Sequence, residues 1–447
     1  MSEGNNMQKV DLTKGKVSRV IFALTIPLVT SSLLQFMYNF IDMIWVGGLG
    51  SNAVASVGSS SLYVNIGYAI STMVVVGAGV KVSHAVGSKD DEGTNRYINT
   101  AFILNLFVGI IFSTIILIFG KTFINFLGIE NLNVEKDSLS YLLISGSAMI
   151  IVFFNTLYIR IFSSFGNNKV SLIISSIGLI INIILDPIFI YTLNLGVNGA
   201  AIATVIANTI VLIMSIRVSK KLYELNFRKY FDFNMLKEII SLGLPSSIQR
   251  VIFTIINILI AKIIAIYGAD ALAAQKIGLQ IESITFIIIG GFNGATASFI
   301  GQNYGAKRLD RISKGYNISI LMGVIYTSII TVILLTIPEL LASIFVKEQE
   351  TIRITSDYLR IIGISQIFAA VEMITNGTFI GLGATRYAAL ISISLTIIRL
   401  PLALILSKLV GVNGIWWSIA ISSILKGIIS YSVYKFVLWR KLKNKFT

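Results

Sequence analysis

Apolar runs long enough to cross a lipid bilayer recur along the whole chain, with only short polar stretches between them. A hydrocarbon core of ~30 Å takes about 20 helical residues at ~1.5 Å each. Twelve runs meet that length, near residues 20 to 46, 53 to 80, 97 to 119, 139 to 162, 170 to 192, 197 to 216, 239 to 266, 271 to 300, 315 to 337, 355 to 381, 387 to 408 and 413 to 437. The pattern predicts an all-α integral membrane protein with twelve transmembrane helices. Turns as short as Gly47 to Asn52 and Tyr267 to Asp270 make the helices they join antiparallel neighbours. The longest polar loops, near 120 to 137 and 338 to 354, leave no room for a soluble domain.

The pattern also repeats. A shift of 218 residues lays Pro27 on Pro245, Asn39 on Asn257, Gly50 on Gly268, Ala53 on Ala271, Gly87 on Gly305 and Lys89 on Lys307 without a gap. Later in each half, Gly196-Val197-Asn198-Gly199 returns as Gly411-Val412-Asn413-Gly414, each after an apolar run that carries a proline, Pro187 or Pro401. Six spans per copy is an even number, so both copies enter the membrane in the same sense. This predicts two six-helix bundles related by a pseudo-two-fold axis along the membrane normal. The expected organisation is an N-terminal bundle over 1–216, a polar linker over 217–237 and a C-terminal bundle over 238–447. In the linker Tyr223, Phe227, Tyr230, Phe231 and Phe233 interleave with charges, as in a segment lying at the lipid surface. Duplicated halves in so apolar a chain point to a transporter whose path runs between them.

With 55% hydrophobic and 13% charged residues and a mean hydropathy of +0.83, the chain has too little polar surface to cover itself in water. Residues 1 to 18 hold no apolar run ending in a small-residue cleavage site, so no removable signal is expected and the first span directs insertion. Cysteine is absent and His84 is the only histidine, which removes disulfides, thiolate sites and histidine metal sites. A net charge of +15 raises nucleic acid as a partner, and its placement answers the question. With the N-terminus inside, the cytoplasmic tails and loops collect 23 Lys and Arg, six of them between Arg217 and Lys237. The other side collects five: Lys121, Lys136, Lys347, Arg353 and Lys408. The asymmetry follows the positive-inside rule, puts both termini in the cytoplasm and accounts for the charge without nucleic acid.

Carboxylates deep in apolar spans single out the candidate chemistry, because a charge there costs about 3 kcal/mol or more and persists where it faces a cavity or a partner. There are four: Asp42, Asp186, Glu282 and Glu372. Gln35, Tyr38, Asn39 and Asp42 follow one another at spacings that place them on one face of the first helix. Asn182 and Asp186 share a face four residues apart, and Pro187 frees backbone carbonyls by interrupting the helix ladder. Two carboxylates, an amide oxygen and free carbonyls make an all-oxygen set suited to sodium or a proton. The plainer alternative is polar glue between helices. In the second half Arg250, Lys276, Glu282, Glu372 and Arg399 are embedded charges, either pairing with one another or touching substrate. No ATP-binding signature occurs, so the energy must come from an ion gradient or a partner.

These residues resemble those of the multidrug and toxic compound extrusion (MATE) transporters, and the resemblance covers nearly the whole chain. The segments that carry it are Asp42-Met43-Ile44-Trp45-Val46-Gly47, Asn182-Ile183-Ile184-Leu185-Asp186-Pro187, Gly199-Ala200-Ala201-Ile202-Ala203-Thr204 and Gly301-Gln302-Asn303-Tyr304-Gly305-Ala306. The resemblance implies a cation-coupling site in the first half at Asp42, Tyr141, Asn182, Asp186 and Thr204, with any sodium held at Asp42, Asn182 and Asp186. Candidates for the substrate cavity are Gln35, Tyr38, Asn39, Arg250, Glu282, Glu372 and Arg399. In the repeat Asp42 falls on Ile260, and Phe253 stands where another branch carries a glutamate. The chain is therefore most similar to the DinF-like prokaryotic branch, with ion coupling concentrated in the first half.

The expectation is secondary active efflux of amphiphilic, often cationic compounds in exchange for H+ or Na+. Alternating access of a V-shaped cavity would carry it, in a monomer of the prokaryotic inner membrane, among membrane lipids and without a cofactor. The rival is a flippase of lipid-linked precursors from the same superfamily, which needs a cavity rich in fixed positive charge, whereas the polar centre of the first bundle is acidic. A membrane-embedded enzyme would need a nucleophile, base or metal cluster, toward which one histidine and no cysteine offer little. A simple channel is a further alternative, against which two unlike halves with one acidic site favour alternating access.

Overall fold

The computed structural model describes residues 11–446, the side chain of Asn39 excepted. In chain order the helices are α1 (Val17–Gly47), α2 (Ser51–Ser88), α3 (Asp91–Phe126), α4 (Leu132–Ser147), α5 (Met149–Ser164), α6 (Asn168–Pro187) and α7 (Gly196–Ser219). A short α8 (Phe227–Tyr230) leads to α9 (Phe233–Ala265), α10 (Ala269–Gly305), α11 (Leu309–Thr336), α12 (Pro338–Ser343) and α13 (Gln349–Gly381). The last four are α14 (Thr385–Ile397), α15 (Arg399–Val410), α16 (Val412–Ser432) and α17 (Trp439–Phe446). Among the described residues, eleven helical stretches are long and apolar enough to cross a membrane, and the pair α4 and α5, bent by 46°, makes the twelfth. The twelve spans read from the apolar pattern are thus present, the fourth in broken form.

The break follows Gly146 and Ser147, a pair that tolerates a kink. It frees backbone carbonyls in the interior, where they need donors. Ser113 Oγ on α3 supplies one, lying 3.2 Å from the Gly146 oxygen and 3.0 Å from that of Ser147. Pro187 ends the regular part of α6, and the chain runs on through a π turn at Ile188–Thr192. Tyr191 in that turn donates to the Trp45 carbonyl at 2.6 Å, tying it to the end of α1.

The sequence repeat reappears as repeated backbone geometry. Gly50 and Gly268, matched by the 218-residue shift, open α2 and α10 with φ of +100° and +99°, a conformation that favours glycine. Lys89 and Lys307, also matched, are two of the three non-glycine residues with positive φ among those described, at +60° and +57°. Each closes its helix in the left-handed conformation, with the following N–H returning five residues: Asp90 to the Ala85 oxygen at 2.9 Å and Arg308 to the Asn303 oxygen at 2.8 Å.

The chain packs into two compact units, one containing Thr30–Ser247 and the other Leu12–Val29 with the residues from Ile248 on. Both changes of unit occur inside a helix, two residues past the matched prolines Pro27 and Pro245. In the first unit the opening of α9 lies against α2: Ser247 Oγ donates to the Ala69 carbonyl at 2.8 Å, and a methyl at Gly243 would collide with the Met73 backbone. In the second, Val29 of α1 packs over Gly291 of α10.

The lead-in to each crossing helix is clasped in the same unit. Ahead of α1, Arg311 donates to the carbonyls of Leu12 at 3.0 Å, Lys14 at 2.9 Å and Gly15 at 2.7 Å. Gln302 Oε1 accepts from the Leu12 N–H at 3.0 Å, and Asn303 orients Arg311 at 3.0 Å. Ahead of α9, Asn99 and Asn95 hold the Glu224 backbone at 2.8 and 3.1 Å, and Arg96 pairs with Asp232 at 2.5 Å.

Candidate functional site

Helix spacing places Tyr38 and Asp42 one turn apart on α1, and Asn182 and Asp186 one turn apart on α6. Packing within the first unit brings these faces together with α4 and α7. The Tyr38 hydroxyl and Thr204 Oγ1 lie 3.0 Å apart, joining α1 to α7. Asn182 Nδ2 donates to Asp186 Oδ1 at 2.9 Å. The carboxyls of Asp42 and Asp186 come within hydrogen-bonding reach of each other. Tyr141 of α4 stands beside both, with its hydroxyl bonded to Ser145.

Three buried oxygens of this group have no hydrogen-bond donor: Asp42 Oδ1, Asp186 Oδ2 and Asn182 Oδ1. Asp186 is fully buried and Asn182 nearly so. Among the described residues no basic side chain bears on either carboxylate. Like charges held together in an apolar surround repel strongly unless a proton or a cation lies between them. The arrangement therefore suits either, and its all-oxygen composition suits a hard cation.

Sequence reasoning missed the polar track that continues from Thr204. Asn208 Nδ2 donates to the Thr204 carbonyl at 2.9 Å, and Asn155 Nδ2 to the Asn208 carbonyl at 3.0 Å. Below it, Ser71 and Thr156 hydroxyls stand 3.2 Å apart. The available signal was an amide in each of two apolar helices, α5 and α7.

Of the cavity candidates, Gln35 is exposed on the α1 surface, and the Asn39 side chain lies outside the described residues. Arg250 is exposed on the second part of α9. Glu282, Glu372 and Arg399 gather inside the second unit together with Lys426 and Tyr358, which the sequence reading did not single out. Among the described residues these charges form no direct ion pair, and each meets a hydroxyl or amide partner. Arg399 donates to Ser422 Oγ at 3.0 Å and Ser423 Oγ at 3.2 Å, and Lys426 to Thr396 Oγ1 at 2.6 Å. Glu372 Oε1 accepts from Ser392 at 3.1 Å and Asn376 at 3.3 Å. Glu282 shares a hydrogen bond with Tyr358, while its Oε1 has no donor. The ion pairs expected as one alternative are thus met only through space, with Arg399 and Lys426 bearing on Glu372 across these polar partners. Lys276 is exposed and stands apart.

A family model described as MatE matches the chain twice, over residues 27–188 and 245–405, with starts on the two matched prolines. Among curated proteins the chain is 26% identical to the probable multidrug resistance protein YoeA of Bacillus subtilis, over 96% of each chain. It is 23% identical to the probable multidrug resistance protein NorM of Thermotoga maritima, over 95% of this chain and 94% of that one. The multidrug export protein MepA of Staphylococcus haemolyticus is 24% identical over 97% and 96%. Among solved structures, a multidrug resistance MATE family transporter in its outward-facing conformation superposes with a TM-score of 0.91 at 23% identity, over 98% of this chain and all of that one. A MOP superfamily transporter from Pyrococcus furiosus gives 0.90 at 23% identity, over 98% and 99%.

Proposed function

The chain belongs to the MatE family of membrane transporters, and we propose that it exports amphiphilic, often cationic compounds in exchange for protons or sodium. The observation that carries this reading is the contact between the Asp42 and Asp186 carboxyls, with three buried donorless oxygens around it. In this mechanism Asp42, Asp186 and Asn182 take the coupling ion, and Tyr38, Tyr141 and Thr204 set its surroundings. An arriving ion relieves the repulsion between the two carboxyls and alters how α1 packs on α6 and α7. That differential binding biases the balance between states open to either side. The names of the relatives, multidrug resistance and export proteins, support substrates of this class. The acidic polar centre of the first unit, Asp42 beside Asp186, argues against a flippase that must hold diphosphate.

Transport into proteoliposomes tests the proposal. A fluorescent lipophilic cation is expected to move against its gradient when a proton or sodium gradient is imposed, and to stop when both are collapsed. Movement independent of either gradient sinks antiport and favours a channel, and no movement at all sinks efflux of such cations. The same proposal places the linker and both termini in the cytoplasm of the bacterial inner membrane. Because the chain has no native cysteine, Arg228→Cys reports the side directly. The expected result is protection from an impermeant maleimide in intact cells, and labelling from outside would reverse the orientation.

A further inference from the structure

We propose that the end of the second unit carrying α17 is a rigid docking platform for the headgroups of anionic phospholipids. Glu372 is the last acid of the chain, and the 75 residues after it hold nine Lys and Arg. Four of the nine crowd at Arg440, Lys441, Lys443 and Lys445. The span from Val412 to Phe446 has 35 residues. At ~1.5 Å each it measures about 50 Å, some 20 Å more than the hydrocarbon thickness, so α17 stands in the headgroup layer.

This end is not a loose tail. Leu438 and Leu442 are buried against Ile312, Tyr316 and Phe379. Its lysines lie over aromatic rings: Lys441 over Tyr387 at 5.8 Å, Lys445 over Tyr304 at 5.5 Å and Lys443 over Trp439 at 5.9 Å. Lys441 and Lys445 also donate to those tyrosine hydroxyls, at 3.1 and 2.9 Å. A tyrosine oxygen is neutral, so the contact positions each ammonium without cancelling it. Among the described residues neither lysine forms an ion pair. Lysines at the polar end of the first unit also lie over rings, Lys81 over Tyr97 at 5.4 Å and Lys229 over Tyr230 at 4.5 Å, but acids stand among them: Lys81 pairs with Glu238 at 2.7 Å and Arg96 with Asp232 at 2.5 Å. The positive-inside rule accounts for basic residues at both ends. It does not account for Lys441 and Lys445 being held over aromatic rings without an ion pair among the described residues, on a helix at headgroup depth, an arrangement that suits an anionic lipid surface.

The test is lipid selectivity of the full-length protein reconstituted in phosphatidylcholine, alone or mixed equally with phosphatidylglycerol. Its readout is the ratio of association constants for spin-labelled phosphatidylglycerol over phosphatidylcholine. Each basic residue at an anionic surface gives about a fivefold preference, so the K441Q/K443Q/K445Q variant is expected to lose about tenfold or more. The corresponding triple Arg variant keeps the charge and is expected to keep the ratio. An unchanged ratio in the Gln variant overturns the proposal. So does competition by inorganic phosphate beyond that of chloride at equal ionic strength, which would mark a small-anion site. Should the Gln variant fail to insert, the wild-type ratio decides: it must fall toward one as salt rises, and a salt-independent ratio overturns the platform.

Discussion

Gradient-driven efflux is expected to fall to background in Asp42→Asn and in Asp186→Asn, while the yield and melting temperature of both variants stay near those of the wild type. Asparagine keeps the shape of each side chain and removes its charge and its titratable oxygen. The surroundings contain no base that would be left unpaired, so the fold has little to lose. Asp42 Oδ1 and Asp186 Oδ2 are buried without donors on neighbouring carboxyls, and a neutral amide in place of either removes an oxygen that could hold a cation or exchange a proton. Tyr38→Phe and Thr204→Val remove only the 3.0 Å contact between α1 and α7, and a partial, severalfold loss is expected. The assay is transport in proteoliposomes under an imposed gradient, with circular dichroism melting in parallel. Full efflux by both Asn variants would reduce the two aspartates to interhelical glue and move the coupling site elsewhere.

Arg399→Leu is expected to be the most destabilising single change in the second unit. Arg399 is 7% exposed, and its guanidinium donates to Ser422 and Ser423 and lies near Glu282, Glu372 and Tyr358. Removing it leaves two embedded carboxylates with Lys426 as their remaining counter-charge, a change of the kind that costs about 3 kcal/mol or more. Several degrees of melting temperature follow. Arg399→Lys restores the charge without the forked donors, so it recovers part of the loss. In the Arg399→Leu/Glu282→Gln double variant the loss is smaller than in Arg399→Leu alone, because one uncompensated carboxylate is gone. Thermal melting of purified protein measures the set. Wild-type stability in Arg399→Leu would mean that water, not the guanidinium, neutralises this cluster.

Local features of both sites were legible because helix geometry is local. A spacing of four residues puts Tyr38 with Asp42, and Asn182 with Asp186, on shared faces in any α-helix. The cost of burying charge in hydrocarbon marked Asp42, Asp186, Glu282, Glu372 and Arg399 without any knowledge of their neighbours. The apolar runs marked twelve spans because a bilayer leaves backbone polar groups no partner outside the helix. Even the repeat had a readable physical meaning, since Gly50 and Gly268 sit at equivalent turns and share a φ near +100°.

Which helices meet is a different matter, decided by contacts between residues far apart in the chain. Asn155, Asn208, Tyr358 and Lys426 were each ordinary in sequence and became notable only through a partner on another helix. The break in the fourth span at Ala148 could exist only because Ser113 of α3 was there to satisfy the freed carbonyls. The prolines at 27 and 245 were visible as an echo, yet the change of packing unit two residues beyond each one depends on what α2 and α10 present to the arriving backbone. Arg311 holds carbonyls nearly three hundred residues earlier in the chain. By itself the sequence determined the spans, their repetition and the embedded charges, because hydration cost and helical period act within one segment. The tertiary structure decided which carboxyls come within reach of each other and which charges meet hydroxyl partners, because those depend on distances that no single segment contains.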